Sequence, residues 1–496
     1  MSAPVDGPGN GKADLIIRNA RLIDGTGGAS FMGDIAIRDD RIVALGALGG
    51  MSGGSEIDAQ GKAVAPGFID VHTHDDRAVL VNPTMKNKVS QGVTTVVTGN
   101  CGVSLAPLKI DRRPPAPLDL ICDTPEGFYG DFASYLKALD DAPAAVNVLA
   151  QVGHSSLRVG AVADLNRAAS SSEIKEMRKV LAESLESGAI GFSTGLFYPP
   201  SQAAPTEEVI ELGKTVHEHA GLHTTHMRDE ADHITDSLAE TFRIGREADI
   251  PVVISHHKCS GADNHGRSVE TLPLIDAAMK QQRIGLDVYP YIASSTMLNP
   301  QRMMGASRVL VTWSVPHPEH AGRDLDDIAK DMGLPPLEAA EKLLPAGAVY
   351  FSMHEDDVQR IMKYPHSMIG SDGLPHDTRP HPRLWGTFPR VLGHYSRDVG
   401  LFPLEEAVRK MTGLSATQFG LTDRGTLKTG NYADLVMFDP ATVIDTASFT
   451  DPMQAATGID LVIVNGRPVW QDGAVTGARP GRAIRRQQLG TFGKAA

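Results

Sequence analysis

The chain has 496 residues, 41% hydrophobic and 22% charged, too long for one small core and ordinary in composition for a folded protein. Its formal net charge of −13 excludes the basic surface that nucleic acid or an anionic membrane would call for. Three scattered cysteines make no disulfide framework, and neither a secretory signal nor a membrane span is legible, so a soluble cytoplasmic protein is expected.

In chain order, residues 1–12 read as a flexible leader. Residues 13–65 hold short alternating runs, "ADLIIRNARLIDGTG", "GDIAIRDDRIVALG" and "EIDAQGKAVAPGFID", broken by glycine- and aspartate-rich turns, which predicts strands. Residues 422–487 repeat that style, with an Asn-Gly turn inside "LVIVNGRPVWQDGAV". The two ends are expected to form one small β-sandwich. Between them, over 66–421, strand-like runs such as "VVTG", "VNVLAQVGH", "IPVVISHHK" and "SMIGSDG" alternate with helical stretches such as "SSEIKEMRKVLAESLESG". About eight such units predict an α/β fold of the (β/α)8, TIM-like barrel type. Residues from about 295 to 349 exceed a barrel loop and read as an insertion or lid over the mouth.

Polar residues gather where the predicted strands end, which in a barrel is the active-site face. In "APGFIDVHTHDD", His72 and His74 share one face, where two imidazoles can grip one metal ion; two ordinary loop histidines are the alternative. His226 closes "AGLHTTH" with His223 on the opposite face, and is a metal ligand or a hydrogen-bonded core histidine. After "PVVIS" either His256 or His257 points inward, His256 being preferred, with Lys258 next. Asp372 follows the last barrel-like strand in a glycine-flanked turn, as a catalytic carboxylate or a simple turn former. Cys101, in "TTVVTGNCGVS", is buried filler, a nucleophile or a thiolate ligand.

The stretches "PGFIDVHTHDD", "TTVVTGNCGVS", "GFSTGLFYPP", "HTTHMRDE", "SHHKCSG", "GSDGLPHDTRPHPRLWGTFPRVLG" and "GTLKTGNYADLVMFDP", in that order, resemble the amidohydrolase superfamily. The similarity is greatest to its D-aminoacylase branch, the N-acyl-D-amino-acid deacylases. The resemblance implies a barrel with a β-sandwich from both termini, and a zinc site of Cys101, His226 and His256. It implies that His72, His74 and Asp372 can hold a second, weaker ion. Most of the superfamily bridges two metals with a carboxylated lysine after the fourth strand. "GAIGFSTGLFYPP" has no lysine there, and the branch uses a cysteine instead.

The implied reaction is zinc-dependent hydrolysis of N-acyl-D-amino acids, with Asp372 as general base and then acid. A substrate α-carboxylate calls for a planar bidentate cation, for which Arg383 is the first choice; Lys258, Tyr289 and Ser295 match family positions in the same pocket. Phe197, Tyr350 and Met353 match the side-chain pocket. With no cation among them, a hydrophobic substrate side chain is expected. Tyr198 is placed to help hold the oxyanion. The partner expected is this small-molecule substrate, with neither nucleic acid nor membrane, and the oligomeric state stays open. Two rivals are a cyclic-amide hydrolase of the hydantoinase type and a catalytically inactive assembly protein on the same fold.

Overall fold

The computed structural model describes residues 12–493. Residues 1–11, nearly all of the expected leader, lie outside the described residues. Both chain ends enter one nine-stranded sheet. Ala13–Leu22, Phe31–Arg38, Arg41–Gly46, Gly53–Asp58 and Ala63–Pro66 come from the first part of the chain. Leu435–Phe438, Ile459–Val464, Arg467–Gln471 and Ala474–Val475 come from the last. The seam is the antiparallel pairing of Ala63–Pro66 with Leu435–Phe438. Side chains from both halves, among them Leu15, Ile35, Val64, Leu435 and Ile463, meet in one buried cluster, so the sheet folds onto itself as a sandwich does. The Asn-Gly turn is a tight hairpin: Asn465 at φ 46° and Gly466 at φ 76° join Val464 to Arg467. Only glycine fits at 466, because a Cβ there would overlap the carbonyl oxygen of Asp39.

Eight parallel strands form the middle of the chain. They are Phe68–Asp70, Val93–Thr98, Asn147–Ala150 continued by Val152–Gly153, Gly191–Gly195, Leu222–His226, Val252–Ile254, Ile284–Val288 and Ser367–Ile369. The third strand pairs with the second through Asn147–Ala150 and with the fourth through Val152–Gly153. A parallel bridge from Thr73 to Gly373 joins the first strand's end to the eighth's, completing the (β/α)8 ring. Ile69, Val97, Leu149, Leu222, Val253 and Met368, from six of the strands, pack together with Phe419 and Phe492. Each fully buried side chain of this kind contributes about 1.5–3 kcal/mol.

The outer helices follow from ordinary signals. Ser171–Ser187 opens on a capping box between Ser170 and Glu173, buries Met177, Leu181 and Leu185 at helical spacing, and stops at Gly188 with φ 124°. Residues between the seventh and eighth strands are not a bare loop. Ala293–Met297, Val309–Ser314 and Ala346–Phe351 make an antiparallel sheet, and helices Leu325–Met332 and Pro336–Leu343 share a core with it. This insertion is fastened across the barrel mouth. Arg379 N–H donates to the Thr312 carbonyl at 3.1 Å, and His381 Nε2 to that of Ala293 at 3.0 Å. Among the described residues no helix is long and apolar enough to cross a membrane.

Candidate active site

The alternation of the fifth strand decides His226. Leu222 faces the barrel interior, so residues 224 and 226 share that side, while His223 turns outward to Thr194 Oγ1 at 2.9 Å. His72 and His74 lie just past the first strand, Cys101 past the second, His256 past the sixth and Asp372 past the eighth. Three of these take left-handed backbone without being glycine: Cys101 at φ 54°, His256 at φ 36° and Asp372 at φ 50°. Such geometry costs of order 1–3 kcal/mol each and clusters at functional sites. His256 N–H donates to Asp287 Oδ1 at 3.0 Å, which turns its ring inward, whereas His257 Nε2 meets Thr271 Oγ1 at 2.9 Å.

Two sets of donor atoms converge, each within 4.8 Å: His72, His74, Cys101 and Asp372 in one, Cys101, His226 and His256 in the other, all buried. Cys101 Sγ is common to both, 3.2 Å from His72 Nε2 and 3.3 Å from His256 Nε2. Asp372 Oδ1 is 3.1 Å from His74 Nε2 and 3.5 Å from His72 Nε2. Sulfur, imidazole nitrogen and carboxylate oxygen are the donors zinc prefers. Among the described residues neither ring nitrogen of His226, nor His74 Nδ1, has an aligned hydrogen-bond partner, which buried imidazoles rarely tolerate. This donor set therefore fits a metal ion. Burial opposes the Cys101 thiolate, but the positive potential of His72 and His256 outweighs it and holds the thiol well below its ordinary range. Burial likewise opposes the Asp372 carboxylate, and Arg383, His256 and His72 outweigh it, keeping the group ionised.

The candidate carboxylate pocket adjoins this cluster. Arg383 is fully buried, so it is no surface ion pair. Its Nη2 donates to the Ser295 carbonyl at 3.0 Å and its Nη1 lies 2.8 Å from Asp372 Oδ2. Among the described residues Arg383 Nε and Ser295 Oγ lack a hydrogen-bond partner. Such buried, unmet donors suit an incoming carboxylate. Tyr289 lies between two cations, with Arg383 4.6 Å and Lys258 5.9 Å from its ring centre. Tyr198 sits beside His226, ring centres 4.9 Å apart, with its hydroxyl 3.0 Å from Thr296 Oγ1. Burial raises the Tyr198 phenol far above its usual range, so it stays a neutral hydrogen-bond donor.

The side-chain pocket holds one further group. Phe197 stacks on His226 with ring centres 5.6 Å apart, and Met353 Sδ is 3.9 Å from the Tyr289 hydroxyl. The insertion, however, brings Arg302 between the aromatic walls, its guanidinium 5.1 Å from the Phe197 ring centre and 5.4 Å from that of Tyr350. The sequence reading did not place this cation there, because Arg302 belongs to a distant turn that no motif connects to Phe197. Among the described residues no carboxylate pairs with Arg302.

Two buried acids also escaped the sequence reading. Glu230 Oε1 lies 2.7 Å from Lys258 Nζ and 3.0 Å from His256 Nδ1, and its Oε2 lies 3.4 Å from His226 Nε2. Asp287 Oδ2 reaches His72 Nδ1 at 3.4 Å. The available signals were an acid four residues after His226 and a charge inside the buried strand "IGLDV". Beneath them, Lys88 Nζ donates to Asp70 Oδ2 at 2.7 Å and Ser371 Oγ at 2.9 Å, tying the first strand to the Asp372 turn.

Comparison with known proteins identifies the family. The model of the amidohydrolase family matches residues 55–280 and 238–470. A D-aminoacylase of Alcaligenes xylosoxydans xylosoxydans is 56% identical over 473 residues, 95% of this chain and 98% of that protein. The chain belongs to the amidohydrolase family, in its D-aminoacylase branch. An N-acyl-D-aspartate deacylase of the same organism is 53% identical, covering 95% of each chain. Another amidohydrolase, the N-acyl-D-glutamate deacylase of Bordetella bronchiseptica, was solved with zinc and a phosphonate mimic of the tetrahedral intermediate. It superimposes at TM-score 0.93 with 46% identity, over 96% of this chain and 100% of that one. In the amidohydrolase described here, a Cβ on Gly195, at the end of the fourth strand, would overlap the carbonyl oxygen of Cys101 and the Tyr198 ring. The turn carrying Cys101, continued by Gly102 at φ 76°, occupies the space that a side chain at that strand end would need.

Proposed function

We propose that this chain hydrolyses the amide bond of N-acyl-D-amino acids, releasing a D-amino acid and a carboxylate, with zinc as cofactor. The convergence of Cys101, His226, His256, His72, His74 and Asp372 beside the unmet donors of Arg383 and Ser295 carries this reading. Cys101, His226 and His256 would hold one ion tightly, and His72, His74 and Asp372 a second, weaker one. Bound zinc supplies a water ionised near neutral pH and a Lewis acid for the scissile carbonyl. The protein's own groups do the rest. Arg383, Lys258, Tyr289 and Ser295 fix the α-carboxylate and so orient the amide. Asp372 takes the proton of the attacking water and returns it to the departing nitrogen. The neutral Tyr198 hydroxyl donates to the oxygen that gains charge.

The pocket also bears on the side chain. Phe197, Tyr350 and Met353 alone favour an apolar group, but the guanidinium of Arg302, which donates to Ser294 Oγ at 3.3 Å and meets no carboxylate among the described residues, favours an acidic one, D-aspartate or D-glutamate. The deciding assay compares N-acetyl-D-glutamate, N-acetyl-D-aspartate and N-acetyl-D-methionine, with chiral product detection and zinc stoichiometry. Higher kcat/KM for the acidic pair is expected, and Arg302→Met should lower it about 10- to 100-fold while raising that for methionine. A wild-type preference for methionine restores the hydrophobic reading. Arg383→Ala should raise KM for every N-acyl amino acid by about 10-fold or more, as measured by steady-state kinetics at saturating zinc. An unchanged KM would remove Arg383 from the carboxylate pocket.

A further inference from the structure

Glu230 is a buried carboxylate that the reaction does not consume, yet it touches both parts of the site. We propose that Glu230 is a positioning residue that sets the tautomer of His256 for the metal and, through the same oxygen, holds Lys258 for the substrate carboxylate. This rests on the zinc and carboxylate assignments above. An ionised carboxylate only accepts hydrogen bonds. With Glu230 Oε1 3.0 Å from His256 Nδ1, that nitrogen carries the ring proton and Nε2, 3.3 Å from Cys101 Sγ, keeps its lone pair on the metal side. Lys258 Nζ stands 2.8 Å from the same Nδ1 and competes for it. A lysine donating there would put the proton on Nε2, facing the sulfur, and spoil the ligand. Glu230 prevents this by accepting from both groups. Lys258 then donates to Glu230 at 2.7 Å and to the His256 carbonyl at 3.0 Å, leaving its third ammonium proton for a substrate carboxylate.

The test uses the full-length chain, with zinc affinity measured by competition with a chelating dye and kinetics at saturating zinc on N-acetyl-D-glutamate and N-acetyl-D-methionine. Glu230→Gln should weaken zinc binding by about 10- to 100-fold and raise KM by about 10-fold, with a smaller change in kcat. Lys258→Met alone should raise KM and leave zinc affinity unchanged. Adding Lys258→Met to Glu230→Gln should restore most of the lost zinc affinity, because the competing donor is gone and the glutamine carbonyl can turn to His256. A purely structural role predicts no such recovery, and its absence overturns the proposal. So does a folded Glu230→Gln with normal zinc affinity and KM. If Glu230→Gln does not fold, Glu230→Asp carries the same readings, and unchanged zinc affinity and KM there overturn the proposal as well. A wild-type chain that takes up no zinc sinks the functional reading itself; a zinc-replete wild type with an unaffected Glu230 variant sinks only this inference.

Discussion

Asp372→Asn is expected to retain zinc, fold normally and lose about 10^3-fold or more in kcat on N-acyl-D-amino acids, the range of a general acid–base group. The side chain keeps its shape but loses its basicity, so the attacking water has no acceptor and the departing amine no donor. The environment keeps this group deprotonated, able to accept a proton, at neutral pH. Burial would favour the protonated acid, but Arg383 Nη1 at 2.8 Å and the surrounding imidazoles hold the carboxylate ionised. The residues proposed to hold the substrate carboxylate, Arg383, Lys258, Tyr289 and Ser295, are unchanged in this variant, so KM should shift far less than kcat. Single-turnover and steady-state rates on the zinc-loaded variant separate the two effects. Turnover near the wild-type level would refute the assignment of Asp372 as base.

The second large effect is that of Cys101→Ala, expected to abolish zinc retention and activity together. Cys101 is the one residue shared by both donor sets, so its removal takes a ligand from each. The affinity loss should exceed the roughly 10- to 100-fold typical of losing a group that merely hydrogen-bonds a ligand. The metal content of the purified variant, with and without added zinc, reads this directly. An alanine variant that keeps its zinc would return Cys101 to the status of buried filler. Cys122 and Cys259 are buried as well, but neither belongs to a donor cluster, and burial pushes the Cys259 thiol up to about 12. They serve as the natural controls.

Much of this site was legible because a parallel barrel turns sequence order into spatial order. Five of the eight strands carry candidate residues at or just past their ends, so His72, Cys101, His226, His256 and Asp372 could be picked out of separate stretches. Alternation along "LHTTH" even separates His226 from His223. Choosing His256 over His257 exceeded the pattern, because a left-handed residue and an acceptor on Asp287 decide it, and neither has a periodic signature. Arg302 was illegible for another reason. It reaches Phe197 and Tyr350 only through the folding of the insertion, and its own neighbourhood in the chain reads as a loop. Glu230 and the unmet donors of Arg383 and Ser295 exist only as three-dimensional relations.

The crowding at Gly195 bears on how this enzyme could change its trade. Replacing the Cys101 thiol by a lysine at the end of the fourth strand would not be a matter of exchanging two side chains. The Cys101 carbonyl and the Tyr198 ring stand where the first carbon of any new side chain on Gly195 would go. The left-handed turn at Cys101 and Gly102 would have to be rebuilt before such a lysine had anywhere to grow. Any redesign that puts a side chain on Gly195 should therefore begin by resculpting residues 99–102.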